Sequence, residues 1–145
     1  MHWQRTFLHP MLVNFDAPSR EDCVAMRTMS NSPQQALTLL NDPSMVEAAR
    51  LWAERLIQSD STDEERIDSA FRTAIARGPS SVEAASLTAF LAEARQTYTD
   101  DPEQADRLAA IGISPLDAAA DPIELAAWTN VARVILNLHE TITRY

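Results

Sequence analysis

From residue 32 onward, apolar positions recur at the spacing of a helix face, and each apolar stretch is introduced by a short polar side chain, often followed by proline. Ser32-Pro33-Gln34-Gln35 supplies an N-cap, a preset φ and an amide able to reach back to the cap, which predicts a short helix ending near Asn41. Asp42-Pro43 opens a longer one, in which Met45, Ala49, Trp52 and Leu56 form one stripe while Arg50 and Glu54 pair on the outer face. Thr62 with Glu65 reads as a capping box for a third helix. Its inward face is Ile67, Ala70, Phe71, Ala74 and Ile75, with Asp68 and Arg72 as an exposed pair and Arg77-Gly78-Pro79 as the stop.

Ser80 with Glu83 repeats the box and starts a fourth helix that buries Leu87, Phe90, Leu91, Ala94 and Tyr98. Asp101-Pro102 begins a shorter fifth. After a loop with a single turn at Ser114-Pro115, Asp121-Pro122 starts the last helix, running to Ile142. Its density of apolar residues from Leu125 to Leu138 places it at the centre of the fold. On it, Asn130, Arg133, Asn137 and Glu140 line one narrow polar stripe that must meet water or a partner. Residues 1–31 hold Trp3, Phe7, Met11, Leu12, Val13 and Phe15 in no sustained period, with Pro10 and Pro18 interrupting any helix, and read as an irregular arm. The expected fold is therefore all-α: a compact bundle of five to six helices over residues 32–145 with an N-terminal arm, 1–145 forming one domain.

Composition narrows the function classes. The 145 residues include only two glycines, against glycine-cradled phosphate sites, and carry a formal charge of −9, which opposes contact with nucleic acid or anionic lipid. No apolar run reaches the roughly 20 residues of a membrane span, and the first residues, MHWQRTFLHPML, have no sustained apolar core of an export signal. There is no Cys-x-x-Cys-His, so no haem attachment or other cofactor is expected in this chain. His2, His9 and His139 share no ligand spacing, which leaves no expected metal site. Cys23 reads as a small buried thiol, with a reactive thiolate between Arg20 and Arg27 as the alternative.

The chief polar concentration is Asp16, Arg20, Glu21, Arg27, Asn31, Gln35, Asn41 and Asp42. Guanidinium forks and amides of this kind grip anionic or hydroxyl-rich ligands. They equally satisfy the backbone of an irregular arm, and tethering, with Asp16 and Arg20 fixing the arm, is the favoured reading.

The same residues, Asn14-Phe15-Asp16-Ala17-Pro18-Ser19-Arg20-Glu21 and Ser30-Asn31-Ser32-Pro33-Gln34-Gln35-Ala36-Leu37 through Asn41-Asp42-Pro43, resemble the domain-of-unknown-function family 1553, the planctomycete-specific D1 domain. Glu124-Leu125-Ala126-Ala127-Trp128-Thr129 and Leu136-Asn137-Leu138-His139-Glu140 resemble that family's closing helix, although an aspartate more often stands where His139 does. The resemblance implies the C-terminal part of a larger domain in exported, cytochrome-c-associated planctomycete and verrucomicrobial proteins. It implies a periplasmic or exported location, and haem c only in upstream domains. It also implies that Trp3 and Phe7 lack their usual neighbours, leaving an exposed apolar patch.

The leading functional expectation is an accessory or interaction module without catalysis of its own. Its partner would be the remainder of its longer chain or another protein, with polysaccharide as a further ligand class. Two alternatives stand beside it. One is a share in a glycan-processing enzyme site through Asp16, Arg20 and Asp42, and the other is a free-standing acidic adaptor binding through the last-helix stripe or the arm.

Overall fold

The computed structural model describes residues 9–18, 23–26, 30, 32–59, 61–116 and 120–142. Among them the chain is all-α, in the order α1 (Pro10–Asn14), α2 (Pro33–Asn41), α3 (Pro43–Ile57), α4 (Asp63–Ile75), α5 (Ser81–Asp100), α6 (Pro102–Ala109), α7 (Pro122–Leu136) and α8 (His139–Ile142). None of these helices is long and apolar enough to cross a membrane.

The capping chemistry read from the sequence sets most helix starts. Ser32, Thr62 and Ser80 each accept a hydrogen bond from the backbone of their capping-box partner, Gln35, Glu65 and Glu83, whose side chains bond back to the cap. Asp42, Asp101 and Asp121 cap helices whose first residue is proline. Each cap satisfies a backbone donor that would otherwise be orphaned and contributes about 1 kcal/mol.

The last long helix is central, as its apolar density predicts. In α7, Leu125 to Thr129, Val131, Ala132 and Ile135 are all buried, and Trp128 is the largest fully buried side chain. It packs on α3, α5 and α6, with smaller interfaces to α2, α4 and α8. Ile67, Ala70 and Phe71 from α4, and Leu87, Leu91, Ala94 and Tyr98 from α5, complete the core.

Six local expectations give way to tertiary context. Pro10 opens the short helix α1 rather than interrupting one, because at the first helical position its missing N–H costs nothing. On α3 the buried stripe is Val46, Ala49, Arg50, Ala53 and Leu56, so Met45 and Trp52 sit half-buried at its margins. Arg50 is therefore not on the outer face: the surface of α3 turned toward α7 includes it, 1% exposed. Helix α4 ends before the expected glycine stop, because Ala76 takes the left-handed conformation at φ 60. The last helix breaks at Asn137, whose N–H bonds back to Arg133 and Val134, and the chain resumes as α8. Ser114 ends a bend and Pro115 is irregular, so no helical turn forms there.

Candidate functional site

The arm meets the bundle through a chain of side-chain hydrogen bonds. Asp16, held at φ 54, accepts from both the amide and the hydroxyl of Ser30 at 2.7 Å through Oδ2. The Gln35 Nε2 donates to the same Ser30 hydroxyl at 3.1 Å, while its Oε1 accepts from the Ser32 amide at 3.1 Å. Gln35 is buried, so its fully used amide avoids the cost of an unpaired polar group in the interior. Asn14 Nδ2 donates to Thr38 Oγ1 at 2.9 Å, fixing α1 across α2. Asn41 Nδ2 bonds the Leu37 carbonyl, and Asp42 Oδ1 accepts from the Ser44 amide. Of the sequence-selected cluster, Asp16 and Gln35 are thus joined through Ser30, whereas Asn41 and Asp42 cap helix ends. Arg20, Glu21, Arg27 and Asn31 lie outside the described residues, as do Trp3 and Phe7.

Docking α1 on α2 creates an open groove of about 480 Å³, lined by the apolar Pro10, Met11 and Leu37 and by His9, Asn14, Gln34, Thr38, Asn41 and Asp42. Exposed apolar side chains stand on this side of the sequence: Val13, Val24, Leu37 and Met26, the last 83% exposed. Cys23 is also exposed, which corrects its reading as a buried thiol. No pattern in the sequence singles out His9 or Gln34. Their place in the groove follows from the docking of two helices whose contact residues are 24 positions apart.

The α7 stripe has its partners inside the fold. Asn130 Nδ2 donates to the Tyr98 hydroxyl at 2.8 Å, and its Oδ1 accepts from Arg133 at 3.0 Å. Arg133 reaches the Leu40 carbonyl with Nε and Nη2 at 3.1 and 2.5 Å, capping the C-terminal end of α2. Glu140 pairs with Arg77, so two of the four stripe residues join other helices directly and a third, Glu140, grips the α4–α5 connection. Three of the four stripe residues are thus engaged by neighbours within the chain, while the Asn137 Oδ1 is buried without a hydrogen-bond partner.

Two arginine hubs escaped the sequence analysis. Arg95 forks onto Asp63 at 2.6 and 3.0 Å and onto Glu124 at 2.8 and 2.5 Å, and Glu124 also accepts from the buried Trp128 indole at 2.9 Å. Arg77 forks onto Glu83 at 3.0 and 2.8 Å and onto Glu140 at 2.8 and 2.9 Å, lying 5.4 Å over the Phe71 ring. Glu83 is six residues from Arg77, but the other three carboxylates are 29 to 63 residues from their arginines, so no local spacing reveals the hubs.

These contacts set the electrostatics. The hydrogen bonds from Arg95 hold Asp63 below the usual carboxylate range, and those from Arg77 bring Glu83 down to about 2 and lower Glu140 as well. Glu47 is lowered by the Ser114 side chain and by the backbone amides of Ser114 and Ile113 that it also accepts from. A general acid working near neutrality needs the opposite, a carboxyl raised by burial or by a like charge. These carboxylates are ionised acceptors that join helices. Among the described residues, no group of three or more His, Cys, Asp or Glu is placed to hold a metal ion.

The family described as PSD1, a protein of unknown function (DUF1553), matches residues 1–91. That span takes in the arm, α1 to α4 and the first half of α5, and so the whole groove. The resemblance of the closing helix lies outside the matched residues. No curated protein and no solved structure matches the chain.

Proposed function

Because the chain belongs to the DUF1553 family, we propose that it is a helical interaction module of an exported, cytochrome-c-associated protein, and that its α1–α2 face receives a protein partner. The partner class is another region of such a protein, with haem c carried there and no cofactor held by this chain. The observation that carries the reading is the tethered groove. The Asp16–Ser30–Gln35 chain and the Asn14–Thr38 bond spend polar groups on holding the arm against α2. The result is a preformed concave surface on which the apolar Leu37 stays largely exposed. Such preorganisation lowers the ordering cost of association.

A catalytic share in glycan processing would call on Asp16 and Asp42, and both carboxylates already accept backbone hydrogen bonds. Polysaccharide binding without catalysis is the second reading, favoured by the amide and hydroxyl groups of Asn14, Gln34, Thr38 and Asn41 along the groove.

Titration calorimetry of this chain against the cytochrome-c-like region of a longer family member tests the proposal. The expected result is saturable binding with negative ΔCp, weakened at least about tenfold by Leu37→Asp. Leu37 is 58% exposed, so folding should be unaffected. Binding that is absent, or indifferent to Leu37→Asp, refutes the protein-partner reading, and binding of oligosaccharides in its place would establish the second one.

A further inference from the structure

We propose that α8 is a strap latched over the C-terminal end of α7 by Arg77, and that breaking this latch exposes apolar surface held closed in the resting protein. The inference is independent of the α1–α2 groove. The break at Asn137 turns the chain back so that residues 138–142 lie against the bundle, and the buried Asn137 Oδ1 has no hydrogen-bond partner. That is a costly arrangement for a polar atom and marks the turn as held from elsewhere.

The strap borders a cavity on each flank of the last turn of α7. Leu138 lines one of about 200 Å³ with Phe71, Leu87 and Ile135. Thr141 and Ile142 line another of about 280 Å³ with Leu39, Met45 and Leu136.

Little holds α8 in place. It contains no buried residue. Among its ties are the Thr141 hydroxyl on the Ile135 carbonyl at 2.8 Å and the fork of Arg77 on Glu140. Arg77 and Glu140 are 38% and 53% exposed, so water and salt screen their attraction. Arg77 is itself anchored by Glu83 and by the face of Phe71, which makes it a fixed post rather than a mobile side chain. A four-residue helix that buries no residue and is latched to a fixed post by a solvent-exposed ion pair opens at far lower free energy than the α7 core to which it is joined.

Hydrogen exchange of the full chain, followed by mass spectrometry at low and high salt, tests this. The Thr141 and Ile142 amides, both bonded to the Leu138 carbonyl, report the strap. They should exchange faster than α7 amides and accelerate with salt. Glu140→Gln should raise their exchange about two- to fivefold at low salt, the range for an exposed pair, remove the salt response and increase binding of an apolar fluorescent dye. Two results overturn the proposal: α8 and α7 amides exchanging together through one global opening, or a separately opening α8 that Glu140→Gln leaves unchanged.

Discussion

Replacing Arg50 separates two accounts of this fold by magnitude. On an exposed helix face, an i, i+4 pair between Arg50 and Glu54 contributes about 0.3–0.5 kcal/mol. In the structure Arg50 is 1% and Glu54 12% exposed, and the guanidinium bonds the Glu54 carboxylate at 2.5 Å and the Ser114 carbonyl at 2.9 Å. Arg50→Ala then leaves a largely desolvated carboxylate without its cation and a carbonyl without its donor, and opens space where the side chain packed. Breaking a buried pair from one side costs about 3–5 kcal/mol. For a chain of this length, that corresponds to a melting temperature lower by roughly 10 °C or more. Urea denaturation monitored by circular dichroism measures it, with an unchanged m-value showing that the loss is in stability and not in compactness. The double variant Arg50→Met with Glu54→Leu removes both charges while filling the volume, and should return to within about 1 kcal/mol of the parent. A loss below about 1 kcal/mol for Arg50→Ala refutes the reasoning, since the pair would then behave as a solvated one.

Two further outcomes follow from the same geometry. Gly112 lies at φ +111, and a Cβ there would collide with the Glu47 carboxyl carbon, so Gly112→Ala must both strain the backbone and displace Glu47 from the Ile113 and Ser114 amides. We expect a loss of about 1–3 kcal/mol by urea denaturation, and a neutral substitution would show that Glu47 does not clamp this loop. Glu83 is lowered from 4.5 to about 2, so its folded form binds a proton less readily than the unfolded chain. Its contribution to stability is present above about pH 4.5 and lost as pH falls toward 2. Urea midpoints measured between pH 5 and pH 2, values of about the range where this group titrates, should fall less steeply for Glu83→Gln, which keeps the capping geometry without the titrating group; an equally steep fall would assign the acid sensitivity to other carboxylates.

What the sequence determined by itself is the six longer helices, α2 to α7, and their starts. A capping box spans four consecutive residues and a proline after an N-cap spans two, so Ser32, Thr62, Ser80, Asp42, Asp101 and Asp121 announce their helices without any tertiary partner. The central place of α7 was legible too, because a helix apolar on nearly all sides has to be enclosed. Asp16 and Gln35 stand in one polar cluster of the sequence, though the path that joins them through Ser30 does not show there.

Tertiary structure alone decided which side of α3 is inward. An arginine carries a long apolar stem and a fork of donors, so burial depends on whether acceptors from elsewhere meet it, and one of the acceptors of Arg50 is a carbonyl 64 residues away. The same holds for Arg77 and Arg95, which complete their forks with the carboxylates of Glu140 and Glu124, from helices distant in the chain. The α1–α2 groove likewise exists only once two helices are docked. Helix formation is governed by hydrogen bonds over three or four residues, whereas ion pairs, cavities and faces depend on long-range packing that no local pattern encodes.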